Sequence, residues 1–171
     1  MIRSITHPLC GVTCALLAFS SAATHAASDA GSVAAPAGTQ PVITLAATGV
    51  QVYSCEFDAS HRLAWTFKRP DATLYDASGQ AVVHHDAGPS WQAGDHSRIV
   101  GKAVAQAASQ TPGSIPQLLL KTKSTGADGM LSGVHYVQRL DTVGGIAPTS
   151  RCVTNHQIGE SPYFAHYTFL K

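Results

Sequence analysis

From residue 45 onward the chain reads as short apolar runs broken by turn residues. Leu63, Trp65 and Phe67 alternate with Ala64, Thr66 and Lys68, the period-two pattern of a half-buried strand, and Pro70 is expected to close it. Ala72 to Tyr75 and Gln80 to His85 flank Asp76-Ala77-Ser78-Gly79, a four-residue hairpin signal. Ile99 to Ala107 alternates again, and Ile115 to Lys121 is a short apolar run suited to a central strand. Gly126-Ala127-Asp128-Gly129 turns the chain into Leu131 to Leu140, and the last strand is expected over Tyr163 to Leu170. Lys102 to Ser109 is Ala-rich, but it is short, uncapped and bounded by Pro112, so it makes a poor helix. Eight or so short strands predict an all-β fold: a single antiparallel β-sandwich or closed β-barrel domain. Within it Trp65 alternates with Leu63 and Phe67 and is expected in the core. Trp91, flanked by Gly and Pro, is expected at the surface.

The N-terminal segment has a different texture. Arg3 precedes a weakly apolar stretch from Leu9 to Phe19, and Thr24-His25-Ala26 places small residues at the −3 and −1 positions of a cleavage site. The apolar stretch is shorter than the roughly 20 residues that span a bilayer. A secretory signal peptide is expected over residues 1–26, a disordered spacer over 27–44, and one β domain over 45–171. Cleavage removes Cys10 and Cys14, leaving Cys55 and Cys152. In an oxidising compartment two such cysteines most simply pair, and the long loop they close is worth about 4 to 5 kcal/mol in the chain-entropy model. The protein is therefore expected outside the cytoplasm, either secreted or periplasmic, with no membrane span once the leader is gone.

Composition narrows the partners. The chain is 44% hydrophobic and 12% charged, with 11 Lys+Arg against 10 Asp+Glu. A soluble domain usually carries about 25% charged residues. That balance excludes a polybasic nucleic-acid binder and a charge-driven disordered chain. Removing Arg3 with the leader brings the formal charge to zero, so the imidazoles not lost with His7 and His25 set the charge near pH 6.5.

Several segments together resemble a known family. They are Gln51-Val52-Tyr53-Ser54-Cys55, then Trp65-x-Phe67-x-x-Pro70-x-Ala72-x-Leu74, then His85-x-x-Gly88-Pro89-x-Trp91-x-x-x-Asp95-x-Ser97. Ile115-Pro116-x-Leu118-Leu119 and Gln138-Arg139-x-x-Thr142-x-Gly144-Gly145-x-Ala147-Pro148 follow. In order and spacing these resemble the secreted bacterial and fungal family DUF3455, over about residues 45 to 170. The resemblance implies export and a β-rich fold, and it implies no activity. Some members carry the name malate dehydrogenase, but this chain has no G-x-G-x-x-G after a strand and no βαβ rhythm. Three positions depart from the family pattern: His96 stands where Gly is usual, Gln117 for Trp, and His166 for Asp.

Residues 84 to 96 concentrate three imidazoles, two carboxylates and an aromatic. Adjacent strand residues point to opposite faces, so His84 and His85 cannot both ligate one ion. The metal candidates that remain are His85, Asp95 and His96. In the structural reading Asp95 caps a turn, Gly88-Pro89 fixes the backbone and Trp91 packs at the core edge, and this reading has the better geometry. As a binding site, Trp91 would supply an apolar plate with His85, Asp95 and Arg139 as polar groups, suited to a small ligand or a surface glycan. Gly144-Gly145 could present an anion nest beside Arg139. Alternatively Arg139 pairs with Asp141 or Asp95 and the glycines only make the turn.

No catalytic signature is present: no G-x-S-x-G elbow, no H-E-x-x-H and no P-loop. Glu56 and Glu160 are the only glutamates, so no glycosidase pair stands out. No cofactor is expected. The leading reading is a secreted, non-catalytic β-domain that binds a small ligand or glycan through the His85 to His96 loop. The alternative is a secreted hydrolase or lyase using His85, Asp95 and Arg139.

Overall fold

A computed structural model describes residues 32–171. The expected signal peptide, and the spacer as far as residue 31, lie outside the described residues. The elements are β1 (Pro41–Phe57), β2 (Leu63–Tyr75), β3 (Ala81–Asp86) and β4 (Ser90–Ala93), followed by β5 (Arg98–Ala107), β6 (Gln117–Ser124), β7 (Tyr136–Gly144) and β8 (Ile158–Leu170). Each strand pairs antiparallel with the next, and β8 returns to pair with β1. Of the two expected architectures, the chain adopts the closed barrel.

Eight strands enclose an interior just wide enough for side chains or for one small ligand. The alternation expected of strands places Leu45, Leu74, Ile99, Val137 and Phe169 inside one half, all essentially without exposure. Thr44 and Thr168 hydrogen-bond each other at 2.9 Å on the outer face, and Lys121 and Lys123 are exposed there. In this half the inward positions are apolar and these outer ones polar.

The filled half, here called the lower one, is sealed by the β6–β7 connection. Leu131 and Val134 tuck under the barrel, with Leu131 fully buried. Residues 131–135, expected to start a strand, form this plug instead, and β7 begins only at Tyr136. At the upper end the β7–β8 connection is stapled down. Cys55 of β1 and Cys152 form the expected disulfide across 97 positions, with Cα atoms 5.6 Å apart. Beside it Cys55 N–H donates to Gln157 O and His156 N–H to Cys55 O, both at 2.8 Å. Trp65 Nε1 donates to Ser150 O at 2.7 Å, so the two tryptophans exchange their expected places. Trp65 is half-buried under this loop, whereas Trp91 is 0% exposed.

Other boundaries shift for physical reasons. Pro70 does not end β2, which runs on to Tyr75. Its missing N–H is tolerated because the last β2–β3 pair is Ala72↔His85, so no β3 partner lies opposite. Residues 41–44, assigned above to the spacer, are the first rungs of β1, and Thr44 pairs with Thr168. The Ala-rich stretch from Lys102 belongs to β5. The Asp76–Gly79 hairpin forms as expected: Asp76 Oδ1 accepts from Ser78 N and Gln80 N at 2.9 and 3.0 Å.

His96, found where the family pattern has Gly, adopts φ 67° in the β4–β5 turn. Left-handed backbone strains a residue with a Cβ by about 1 kcal/mol. His96→Gly is therefore expected to stabilise the fold by about 0.5 to 1 kcal/mol, read from the denaturant midpoint. An unchanged or lower midpoint counts against strain at this turn.

Candidate functional site

The upper half of the barrel is not filled. A cavity of about 320 Å³ lies there, walled by residues from every strand of the barrel. That equals about ten water volumes and sits at the small end of ligand sites. Its entrance follows from strand lengths. β3 and β4 have 6 and 4 residues, while β2 has 13 and β5 has 10. The last β4–β5 pair is Ser90↔Val100, so β5 continues upward without a β4 neighbour. A notch is left between β2 and β5, rimmed by Phe67, Pro89, Ala103 and Pro116. Phe67 is 49% exposed and makes an edge contact with Tyr53 at 5.7 Å.

His85 and Trp91 stand opposite each other on β3 and β4 and stack at 4.6 Å with planes 3° apart. His85 Nδ1 lies 2.8 Å from Ser90 O. A carbonyl only accepts, so Nδ1 carries the proton and Nε2 is left as a lone-pair acceptor. Burial pushes the His85 pKa down to about 4. At neutral pH this side chain is an uncharged spacer and a weak base. Trp91 packs so closely on β5 that a Cβ at Gly101 would come within 2.9 Å of the indole.

Arg139, on β7, lines the same cavity. Its Nε and Nη2 both donate to Pro116 O, at 3.2 and 2.8 Å. Among the described residues it makes no ion pair, so the expected pairing with Asp141 or Asp95 does not occur. Asp141 instead meets His166 Nδ1 at 3.0 Å, and Asp95 lies at the other end of the barrel. The anion-nest alternative also fails. Gly144 N–H donates to Ser114 Oγ and Gly145 N–H to Pro162 O, both at 2.9 Å, so the glycine pair only makes the turn. The charge of Arg139 is felt by Tyr53, His85, Tyr163 and Tyr167, which places the guanidinium amid the interior polar groups. The three tyrosines are nonetheless raised above their usual pKa, chiefly by burial, and stay protonated.

Three of the four expected binding residues, His85, Trp91 and Arg139, thus line one cavity, inside the barrel rather than on a surface loop. Asp95 does not join them. It holds the floor: Oδ1 accepts from Ser97 N and Ser97 Oγ at 2.9 and 2.6 Å, and Oδ2 accepts from Met130 N at 2.7 Å. These bonds, the Ser97 hydroxyl first, lower its pKa to about 2. Gly129 must be glycine here, because a Cβ would lie 2.3 Å from Asp95 Oδ2. The metal set His85, Asp95 and His96 is not assembled either. His85 is interior and His96 points from an exposed turn. No group of three or more potential ligands forms among the described residues.

Gln51, Tyr53 and Tyr167 line the cavity and were not singled out from sequence. The signal was present in Leu45-x-Ala47-x-Gly49-x-Gln51-x-Tyr53, an inward series that turns polar halfway along β1. Tyr53 OH donates to Gly145 O at 2.7 Å. Gln51 Nε2 and Trp91 Nε1 are buried without any hydrogen-bond partner among the described residues.

Fold and cavity together define a small disulfide-stapled β-barrel, packed in one half and hollow in the other. The family described as protein of unknown function (DUF3455) matches residues 36–171, and the chain belongs to it. No curated protein and no solved structure matches the chain.

Two outcomes test these assignments. Asp95→Ala removes three hydrogen bonds from the floor and is expected to lower the melting temperature by several degrees. An unchanged melting temperature would show that the plug holds without it. For His85, the unfolded imidazole takes a proton near pH 6.5 and the folded one only near 4. Acid between these values favours unfolding, and the loss is at most about 3 kcal/mol. Wild type should weaken across this window, while His85→Phe, which keeps a ring against Trp91, should stay nearly flat. Equal slopes for the two proteins contradict the assignment.

Proposed function

We propose that this protein is an exported, non-catalytic binding module that holds one small molecule in the upper half of its barrel. The observation that carries this reading is the contrast between the two halves. The same eight strands fill the lower half with aliphatic and aromatic side chains, yet leave about 320 Å³ above it, reached through a notch in the wall. Interiors ordinarily pack to crystal density, and a void of this size costs stability unless it serves binding. The Cys55–Cys152 disulfide suits an oxidising compartment, in keeping with the leader expected over residues 1–26. A cavity of about ten water volumes has room for a one-ring compound and not for a glycan chain. His85 is a weak base with Nδ1 committed to Ser90, and among the described residues no hydrogen bond joins it to a carboxylate. The hydrolase or lyase alternative has no observation in its favour.

Ala103 is exposed at the rim and shares the inward face with Leu120, so a bulky side chain there should plug the notch without unfolding the barrel. A panel of one- and two-ring compounds, titrated against the labelled protein by NMR, should shift Tyr53, Trp91 and Arg139 in wild type. Those shifts should vanish in Ala103→Trp. A groove on the outer face is lined by Val82, His84, Gln92 and His96, and shifts confined to it, or shifts that persist in the plugged variant, would refute an interior site.

A further inference from the structure

We infer that the cavity selects an anion: a small carboxylate, or an acid of the same geometry, carried on a flat apolar body. The inference rests on the interior site proposed above and adds the chemical class of its occupant.

Three side chains carry it. Trp91 is 0% exposed and Gln51 2% exposed; both residues line the cavity, and a side-chain nitrogen of each is buried with no hydrogen-bond partner among the described residues. Leaving a buried donor unpaired costs about 1 to 3 kcal/mol, so such atoms are rare in a finished core. An indole N–H and a guanidinium can only donate, and the Gln51 amide adds an NH2 donor beside its own carbonyl acceptor. Arg139 adds a full positive charge that no carboxylate neutralises among the described residues. Pro116 O accepts from it, and the Tyr167 hydroxyl lies within its reach.

The nearby acceptors are spent or weak. Tyr53 OH is committed to Gly145 O, and the Tyr163 and Tyr167 hydroxyls lie 3.3 Å apart as partners of each other. His85 is neutral and keeps one lone pair. The donors therefore outnumber the acceptors and carry a net positive charge. A ligand that answers them brings acceptor atoms and a negative charge, and two oxygens on one carbon match a guanidinium edge. The rest of the wall is apolar: Ile115, Leu118 and Leu120 face it, with Phe67 and Pro89 at the rim. That wall suits a ring rather than a chain of hydroxyls.

Benzoate, benzamide and benzyl alcohol share one body and differ in the headgroup, so they separate the charge from the cavity. Isothermal titration should give benzoate at least about tenfold tighter binding than either neutral compound. In Arg139→Gln the ratio of benzoate to benzyl alcohol affinity should fall toward one. Arg139→Lys, which keeps the charge without the fork, should restore part of the ratio. A ratio near one in wild type overturns the anionic class while leaving the interior site standing. Silence from all three compounds, with larger ring compounds equally silent, counts against the interior site itself. If Arg139→Gln fails to fold, as judged by its melting curve, the wild-type ratio and the lysine variant decide the matter.

Discussion

The ladder between β1 and β8 runs from Pro41↔Leu170 to Ser54↔Ile158 and joins the first strand to the last. Once that seam forms, each strand has one inner and one outer face, and strand number sets the interior volume. Every inward residue must then fill space or line what is left. The lower half takes the first course, with Leu45, Leu74, Ile99, Phe169 and Leu131 in one buried cluster. In the upper half the inward positions turn polar: Gln51, Tyr53, His85, Arg139 and Tyr167. Such groups cannot interdigitate like aliphatic side chains, because each needs a partner with the right geometry.

The pinned ends keep that upper space from collapsing. Asp95, Ser97 and Met130 fix the floor, and the disulfide with the Trp65–Ser150 bond fixes the loop over one side of the roof. The β5–β6 connection fixes the other side. Ile115 N–H donates to Gly144 O at 2.9 Å, and Thr142 Oγ1 donates to Ile115 O at 2.5 Å. That anchoring brings Pro116 O to Arg139 and holds the guanidinium at the cavity. The roof and the charge are therefore a single arrangement.

Much of this was legible in the sequence, and the misses share a cause. The strands, the Asp76 hairpin, the Cys55–Cys152 pairing and the turn around Asp95 follow from local pattern, because each depends on neighbours in sequence or on simple counting. The place of Trp91 did not follow. Gly88-Pro89 before it reads as an exposed loop, yet those residues make a tight turn into a four-residue strand that sets Trp91 against His85. Which face is inside depends on barrel closure, a relation between residues over a hundred positions apart. For the same reason His85 and Asp95, close in sequence, are parted: one lines the cavity and the other holds the floor. Arg139 and Gln51, distant in sequence, line one cavity.

The two tryptophans provide a direct measurement. Trp65 Nε1 is bonded to Ser150 O, whereas Trp91 lines the cavity and its Nε1 has no partner among the described residues. Titrating benzoate into the labelled protein and following both indole N–H resonances by NMR distinguishes them. If a carboxylate docks beside Arg139, the Trp91 signal moves downfield to saturation while the Trp65 signal stays in place. A stationary Trp91 resonance, or equal drifts of both with salt alone, contradicts an anion held inside this barrel.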